Sequence, residues 1–397
     1  MYDLKDRVAW LEDNAKGAKP FGWIDYRIGY AGNDLQSGNE FDNLTAKFGI
    51  EGKVTDELSA KLAFKYRDTS DPTGAVDGYD AETMWLDEAA LMFRTKGLVT
   101  ADWTVGRQFV NYGLGLVVNN ERKSLQGVRA KFSNIWNTKL DLDVFAGGAN
   151  YDFTPAPDAA ADDRYNDSDA YAALAMTYAR PSWKLTATYL HDGWGGERAF
   201  SGDLEAEFWG RKLYAEVAQM LKTKNGVDVK DLPINEPVAI LAMLDVWKGK
   251  NWALRGFYSD VDAQYDVHYS TLNPYYEPYG TTSSYAIPWE RWLRNPLAMT
   301  NVEAIGGQLE INLGSTPFEI AYYDLDRNSG YWGQSAFSGL TAGDQIPYDK
   351  LFSIRMSKEV ASGVKVGLTY ARENANSAFS RPLSDQSLLS AEVTVGF

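Results

Sequence analysis

The chain has 397 residues, 45% hydrophobic and 14% aromatic, with 35 glycines, no cysteine and a formal charge of -15. That acidity argues against nucleic acid as a partner, and the missing cysteines remove disulfides and thiolate metal sites while suiting an oxidising periplasm. A mean hydropathy of -0.37 and a longest apolar run of only Val238 to Leu244 exclude helical membrane spans, which need about 20 apolar residues in a row.

Residues 1–19 differ in kind from the rest. Leu4, Val8 and Leu11 fall at spacings of four and three among Asp3, Lys5, Asp6, Arg7, Glu12 and Asp13, which predicts a short helical stripe ending at Asn14-Ala15-Lys16-Gly17, ahead of Pro20. The stripe fits either the tail of a coiled coil or one amphipathic turn packed on the body of the protein. Met1-Tyr2-Asp3-Leu4-Lys5-Asp6 has neither the basic start nor the apolar core of a secretory leader, so the export signal is expected to have been removed already.

From residue 20 onward apolar and polar side chains alternate with period 2 in segments of about ten residues, long enough to cross a bilayer at a tilt. They are 20–30, 43–52, 58–67, 84–94, 101–108, 125–133, 138–148, 169–179, 182–190, 200–209, 211–221, 237–247, 251–260, 301–313, 316–326, 349–357, 363–371 and 387–397. Short connections such as 54–57, 180–182, 248–251 and 314–316 take turns with long ones such as 149–168, 261–300 and 327–348. Strands that alternate in this way, without helices to cover their apolar face, satisfy their backbones in a membrane only by closing a ring. The fold expected for residues 20–397 is therefore an all-β, transmembrane antiparallel barrel of 16–18 strands, the pattern itself counting 18, with both termini on the short-turn side.

Alternation also assigns faces. In 58–67, Ala60, Leu62, Phe64 and Tyr66 go to lipid, and Lys61, Lys65 and Arg67 to the lumen; near the end, Val364, Val366, Leu368 and Tyr370 go outside, with Lys365 and Thr369 inside. Extended to the other strands, this gives a basic lumen wall of Arg27, Lys47, Lys61, Lys65, Arg67, Arg94, Arg129 and Lys131. The acidic wall is Glu205, Glu207, Glu216, Glu310 and Glu319, with Asp141 and Asp143 between the two and Arg255 and Arg355 breaking the pattern. Arg107 shares parity with Trp103 and Val105, and joins the basic wall only through a bulge expected at Gly106. Opposed walls of this kind would order water and favour small polar solutes. Trp103, Trp136, Trp183, Trp209, Trp247 and Trp252 lie close to short turns, the place of an interfacial aromatic girdle.

Three loops stand out. In 109–124, Leu114, Leu116, Val117 and Val118 form an apolar patch among Gly113 and Gly115, followed by the charged Glu121-Arg122-Lys123; such a patch should fold against something. The acid-rich loop 158–169 offers Asp162, Asp163, Asp167 and Asp169 as candidate calcium ligands, although EF-hand spacing is absent. Loop 261–300 carries Tyr265, Tyr269, Tyr275, Tyr276, Tyr279, Tyr285, Trp289 and Trp292, aromatics able to stack on sugar rings or to pack on one another. The two histidines, His191 and His268, fall in predicted loops, and no nucleophile elbow, zinc pair or phosphate-cradling glycine loop is present, so neither enzymatic activity nor a cofactor is expected.

The last segment, Gln386 to Phe397, places Leu389, Ala391, Val393 and Val395 on one face and stops on an aromatic. In this the chain resembles bacterial outer-membrane proteins, whose terminal Phe is a sorting signature; the resemblance implies an integral outer-membrane location, with Phe397 serving closure and sorting. The loop 109–124 resembles the third loop of general porins, which folds inward to narrow the channel, and this implies Glu121, Arg122 and Lys123 at the constriction. The N-terminal stripe is similar to that of porins tethered to the cell wall by an S-layer-homology domain and coiled coil, OmpM-like, which implies a homotrimer and contact with peptidoglycan through a domain absent from this sequence. The function expected is passive diffusion of ions and small hydrophilic solutes across the outer membrane. The alternatives are a monomeric channel selective for sugars or acidic oligosaccharides, and a link between outer membrane and cell wall.

Overall fold

The strand pattern closes into a ring. In the computed structural model, residues 18–33, 36–55, 57–69, 83–97, 99–119, 124–149, 169–192, 198–222, 237–262, 265, 302–327, 348–378 and 385–397 are described. The strands are β1 (Ala18–Asn33), β2 (Gln36–Lys53), β3 (Leu58–Thr69), β4 (Thr83–Thr95), β5 (Ala101–Gln108), β8 (Leu125–Phe132), β9 (Leu140–Ala149), β10 (Asp169–Arg180), β11 (Trp183–Asp192) and β12 (Arg198–Phe208). They continue with β13 (Arg211–Lys222), β14 (Val238–Lys248), β15 (Trp252–Val261), β16 (Val302–Leu313), β17 (Thr316–Arg327), β18 (Tyr348–Ala361), β19 (Val364–Ala375) and β20 (Gln386–Gly396). Each pairs antiparallel with its neighbours in an 18-stranded sheet, while β6 (Asn111–Tyr112) and β7 (Val118–Asn119) form a separate small hairpin.

The ring is sealed where β20 meets β1, with Trp23 opposite Gly396 and Tyr30 opposite Leu389. Phe397 extends the seam by one pair: its N–H donates to the Gly22 carbonyl at 3.0 Å and the Gly22 N–H donates back at 3.0 Å. Glycine is required at position 22, because a Cβ there would lie 2.4 Å from the Lys47 carbonyl oxygen.

The faces follow the alternation. Ile24, Tyr26, Ile28 and Tyr30 on β1, Phe48 and Ile50 on β2, Leu62 on β3, Leu368 and Tyr370 on β19, and Leu389 and Val393 on β20 are all exposed large apolar side chains. An apolar belt of this kind is stable only against hydrocarbon. At the short-turn rim Trp136, Trp209 and Trp247 are exposed, Trp247 lies 6.1 Å from Trp252, and Trp103 stacks against Phe93. The β12–β13 turn is tight because Trp209 and Gly210 both take positive φ, 52° and 75°, matching the twist of the flanking strands.

The interior is divided. On the inward faces of β9 to β14 sit Phe145, Ala173, Ala175, Leu190, Ala199, Ala218, Met220, Ala239 and Leu241, all buried, and the third loop packs on them through Val110, Tyr112, Leu116, Val117 and Val118. Beneath the loop these strands carry apolar side chains on the inward face as well as the outward one, as segments covered on both sides do.

The N-terminal stripe of residues 1–17, the loop residues Glu121, Arg122 and Lys123, the calcium candidates Asp162, Asp163 and Asp167, the side chain of Asp169, and His268 lie outside the described residues. The same holds for the aromatic loop apart from Val261, Asp262 and Tyr265. His191 belongs to β11 rather than to a loop, since the strand runs on to Asp192.

Candidate functional site

The third loop leaves the wall between β5 and β8 and turns inside the barrel. Gly113 and Gly115, with φ of 61° and 98°, reverse the backbone around Leu114. On the far side the Leu114 N–H donates to Glu216 Oε2 at 2.8 Å and the Leu116 N–H to the same oxygen at 3.3 Å. Tyr265, just beyond β15, donates its hydroxyl to the Leu116 carbonyl at 2.8 Å. On the near side the Tyr112 hydroxyl donates to Asp143 Oδ1 at 3.0 Å. Burial first, and then the Asp143 carboxylate, push the Tyr112 phenol above its ordinary pKa and keep it a neutral donor. Arg129 holds Asp143 with two nitrogens, at 2.8 and 2.7 Å, and donates a third bond to the Phe109 carbonyl at 3.3 Å. Such forked pairs fix orientation as well as charge. The loop is thus fastened to β9 at one point and to β13 and the end of β15 at another.

Around this loop the lumen is lined by paired charges. Lys47 Nζ lies 2.7 Å from Asp87 Oδ2 and 2.6 Å from Glu88 Oε1, and Lys61 Nζ lies 2.8 Å from Glu88 Oε2. Two consecutive carboxylates reach these lysines because β4 is bulged: Glu88 pairs with Ala63 and Leu86 with Phe64, leaving Asp87 as the extra residue. Lys47 also sits 5.1 Å from the Phe109 ring, and Lys65 5.5 Å from the Trp85 ring. Around the seam, Glu392 joins Arg27 at 2.9 Å and Arg355 at 3.2 Å. Arg255 bridges Asp245 at 3.1 Å and Glu310 at 2.6 Å, and Lys184 meets Glu205 at 2.8 Å. Lys131 approaches Asp143 at 3.8 Å. Nearer the short-turn rim Arg94 pairs with Asp102.

The expected basic and acidic walls are therefore not two separate blocks. Asp25, Asp87, Glu88, Asp102 and Glu392 stand among the basic residues of the early strands. The parity of Asp25 with Arg27 was a signal for one of them; Asp87 and Glu88 are hidden by the bulge, which breaks the period. Glu216 points inward but does not line the pore, because the third loop buries it completely. Asp141 accepts the Asn134 N–H at 2.6 Å and serves the turn before β9. Glu207, exposed near the short-turn rim, donates its backbone N–H to Ser182. Glu319 pairs in the ladder with Glu310 and Arg355, and Arg67 occupies the position opposite Thr45. The bulge expected at Gly106 is absent: Arg107 pairs in register with Ala89 and Gln126, on the face of Val105, and its Nε donates to Ser124 Oγ at 3.0 Å. Gly106 instead takes a φ of 121° within an unbroken ladder, where a Cβ would meet the Ala89 carbonyl oxygen at 2.1 Å.

No family model and no curated protein sequence matches the chain. Solved structures do. Acinetobacter baumannii OccAB4 superposes with a TM-score of 0.61 at 10% identity, over 96% of this chain and 99% of its own. Pseudomonas aeruginosa OccK5 (OpdH) gives 0.58 at 12% identity over 96% and 98%, and P. aeruginosa OccD3 (OpdP) gives 0.57 at 12% over 95% and 91%. At these identities the likeness is one of fold, and the fold is that of an outer-membrane porin: the chain is an integral outer-membrane β-barrel with the architecture of a channel.

Proposed function

We propose that the protein is a substrate-selective outer-membrane channel for small, charged hydrophilic solutes, in place of the general diffusion pore expected from the strand pattern. The observation that carries this is the third loop, bonded to Asp143 on one side and to Glu216 and Tyr265 on the other. A constriction pinned at both ends holds its charged surroundings at fixed spacing, and fixed spacing distinguishes solutes by chemistry as well as by size. The paired charges Lys47–Asp87–Glu88–Lys61 and Arg129–Asp143 supply donors and acceptors within one ion-pair length, suited to exchanging partners with a charged solute. The likeness in fold to Occ channels agrees with this reading. Trimeric assembly belongs to the proposal as well, and cross-linking in intact outer membranes tests it.

Planar-bilayer recording tests selectivity. One solute class among neutral sugars, dicarboxylates and basic amino acids should block the ionic current at micromolar concentration. Currents that respond to solute size alone would return the protein to the general porins.

A further inference from the structure

On the outer surface of the barrel, away from the lumen, β9 to β12 form an open groove of about 400 Å³ lined by Val144, Ala172, Ala173, Leu174, Tyr189, His191 and Arg198. The outward direction is set by parity: Leu174, Tyr189 and the adjacent Phe200 are exposed, while Ala173, Leu190 and Ala199 between them are buried beneath the third loop. The groove arises from the ladder itself. One cross-strand row runs Ala146, Ala172, His191, Arg198, and the next runs Val144, Leu174, Tyr189, Phe200, so two alanines leave a hollow beside a bulky ridge.

His191 and Arg198 close the extracellular end of this hollow. β11 begins at Trp183, beside the short turn to β10. About eight residues of tilted strand lift His191 roughly 20 Å from that rim, the height at which an apolar band of about 25 Å gives way to headgroups. Arg198 Nε donates to His191 Nδ1 at 3.3 Å. The imidazole is then an acceptor at Nδ1, carrying its proton at Nε2. His191 and Arg198 stand opposite each other in the ladder and both line the groove, and among the described residues Arg198 has no carboxylate partner. A cation placed at an apolar boundary, on a chain of formal charge -15, is complementary to a phosphate carried by a lipid. A guanidinium binds phosphate with two parallel hydrogen bonds.

We propose that this groove is a binding site for a phosphorylated lipid of the outer leaflet. One acyl chain lies along Ala172, Leu174 and Tyr189, and the phosphate accepts hydrogen bonds from Arg198 and His191. The site stands apart from the channel and needs no particular solute selectivity.

Native mass spectrometry of the detergent-solubilised barrel, incubated with a diphosphorylated lipid A or with its dephosphorylated form, tests this. The wild type should retain the phosphorylated lipid at least tenfold better. Arg198→Glu should abolish that preference, and Ala172→Trp, which fills the hollow, should reduce retention of both forms. Ionic conductance, with heat-modifiable gel mobility as the check of folding, should remain unchanged in both variants. Equal retention by wild type and variants would overturn the proposal. So would full displacement of the lipid by inorganic phosphate alone, since the groove would then contribute nothing, or a disulfide between two Ala172→Cys chains in the membrane, since a second copy would then occupy this face.

Discussion

Glu216 stands directly opposite Asp203 on the β12–β13 ladder, and the backbone of the third loop lies across both: a Cβ at Gly113 would come within 2.6 Å of Asp203 Oδ2 and 3.2 Å of Glu216 Oε1. Two neighbouring acids shut away from water are costly unless hydrogen-bonded. The loop supplies donors to Glu216 and receives in return a fixed position over the channel.

Replacing Glu216 with Ala removes the acceptor of two backbone N–H groups, and each buried donor left unpaired costs about 1–3 kcal/mol. The expected result is a larger and noisier single-channel conductance, with Glu216→Gln, which keeps one carbonyl acceptor, falling between. Recordings of Glu216→Ala indistinguishable from wild type would show that the loop is held elsewhere.

Gly113→Val introduces a branched side chain at a φ of 61° as well as the contact with Asp203. The left-handed conformation alone costs about 1–2 kcal/mol. Heat-modifiable gel mobility should show the folded form lost at a lower temperature than in the wild type, together with altered conductance; an unshifted transition refutes the close approach.

Arg129→Glu combined with Arg67→Glu should move the reversal potential toward cations. Arg129 is the stronger contributor, because it neutralises Asp143 and holds the Phe109 carbonyl. If the reversal potential in a salt gradient stays where it was, these side chains do not govern the ion path.

Deleting Phe397 removes the two main-chain hydrogen bonds that finish the β1–β20 seam. The yield of folded barrel should fall in cells and in refolding from urea, and Gly22→Ala should act in the same direction by pressing on the Lys47 carbonyl. Normal yields for both would remove the seam from the account of assembly.

The barrel was legible in the sequence because burial on one face imposes period 2, and most of the eighteen segments obey it. That the third loop packs against something was legible too, since Leu114 to Val118 had no reason to face water, while its inward direction came from the resemblance to general porins. Its seat was announced by a feature read only as too short for a helix: Val238 to Leu244 is apolar at every position because β14 meets lipid on one side and the loop on the other. The charge pairs were less accessible. At Asp87 one extra residue shifts the phase of β4, so counting parity across it misassigns half the strand. Glu216 has the parity of a pore-lining residue, and only packing across the lumen reveals that a loop distant in sequence covers it. Arg107 was placed inward only by a bulge at Gly106, and β5 runs through that glycine in unbroken register.

The anchors of the third loop are spread over neighbouring strands of one arc of the ring, Asp143 on β9 and Glu216 on β13, with Tyr265 beyond β15. A hoop braced by an internal strut resists being squeezed into an ellipse along that chord, and yields more readily across it. Where lateral pressure from the surrounding bilayer acts along that chord, these few bonds oppose it.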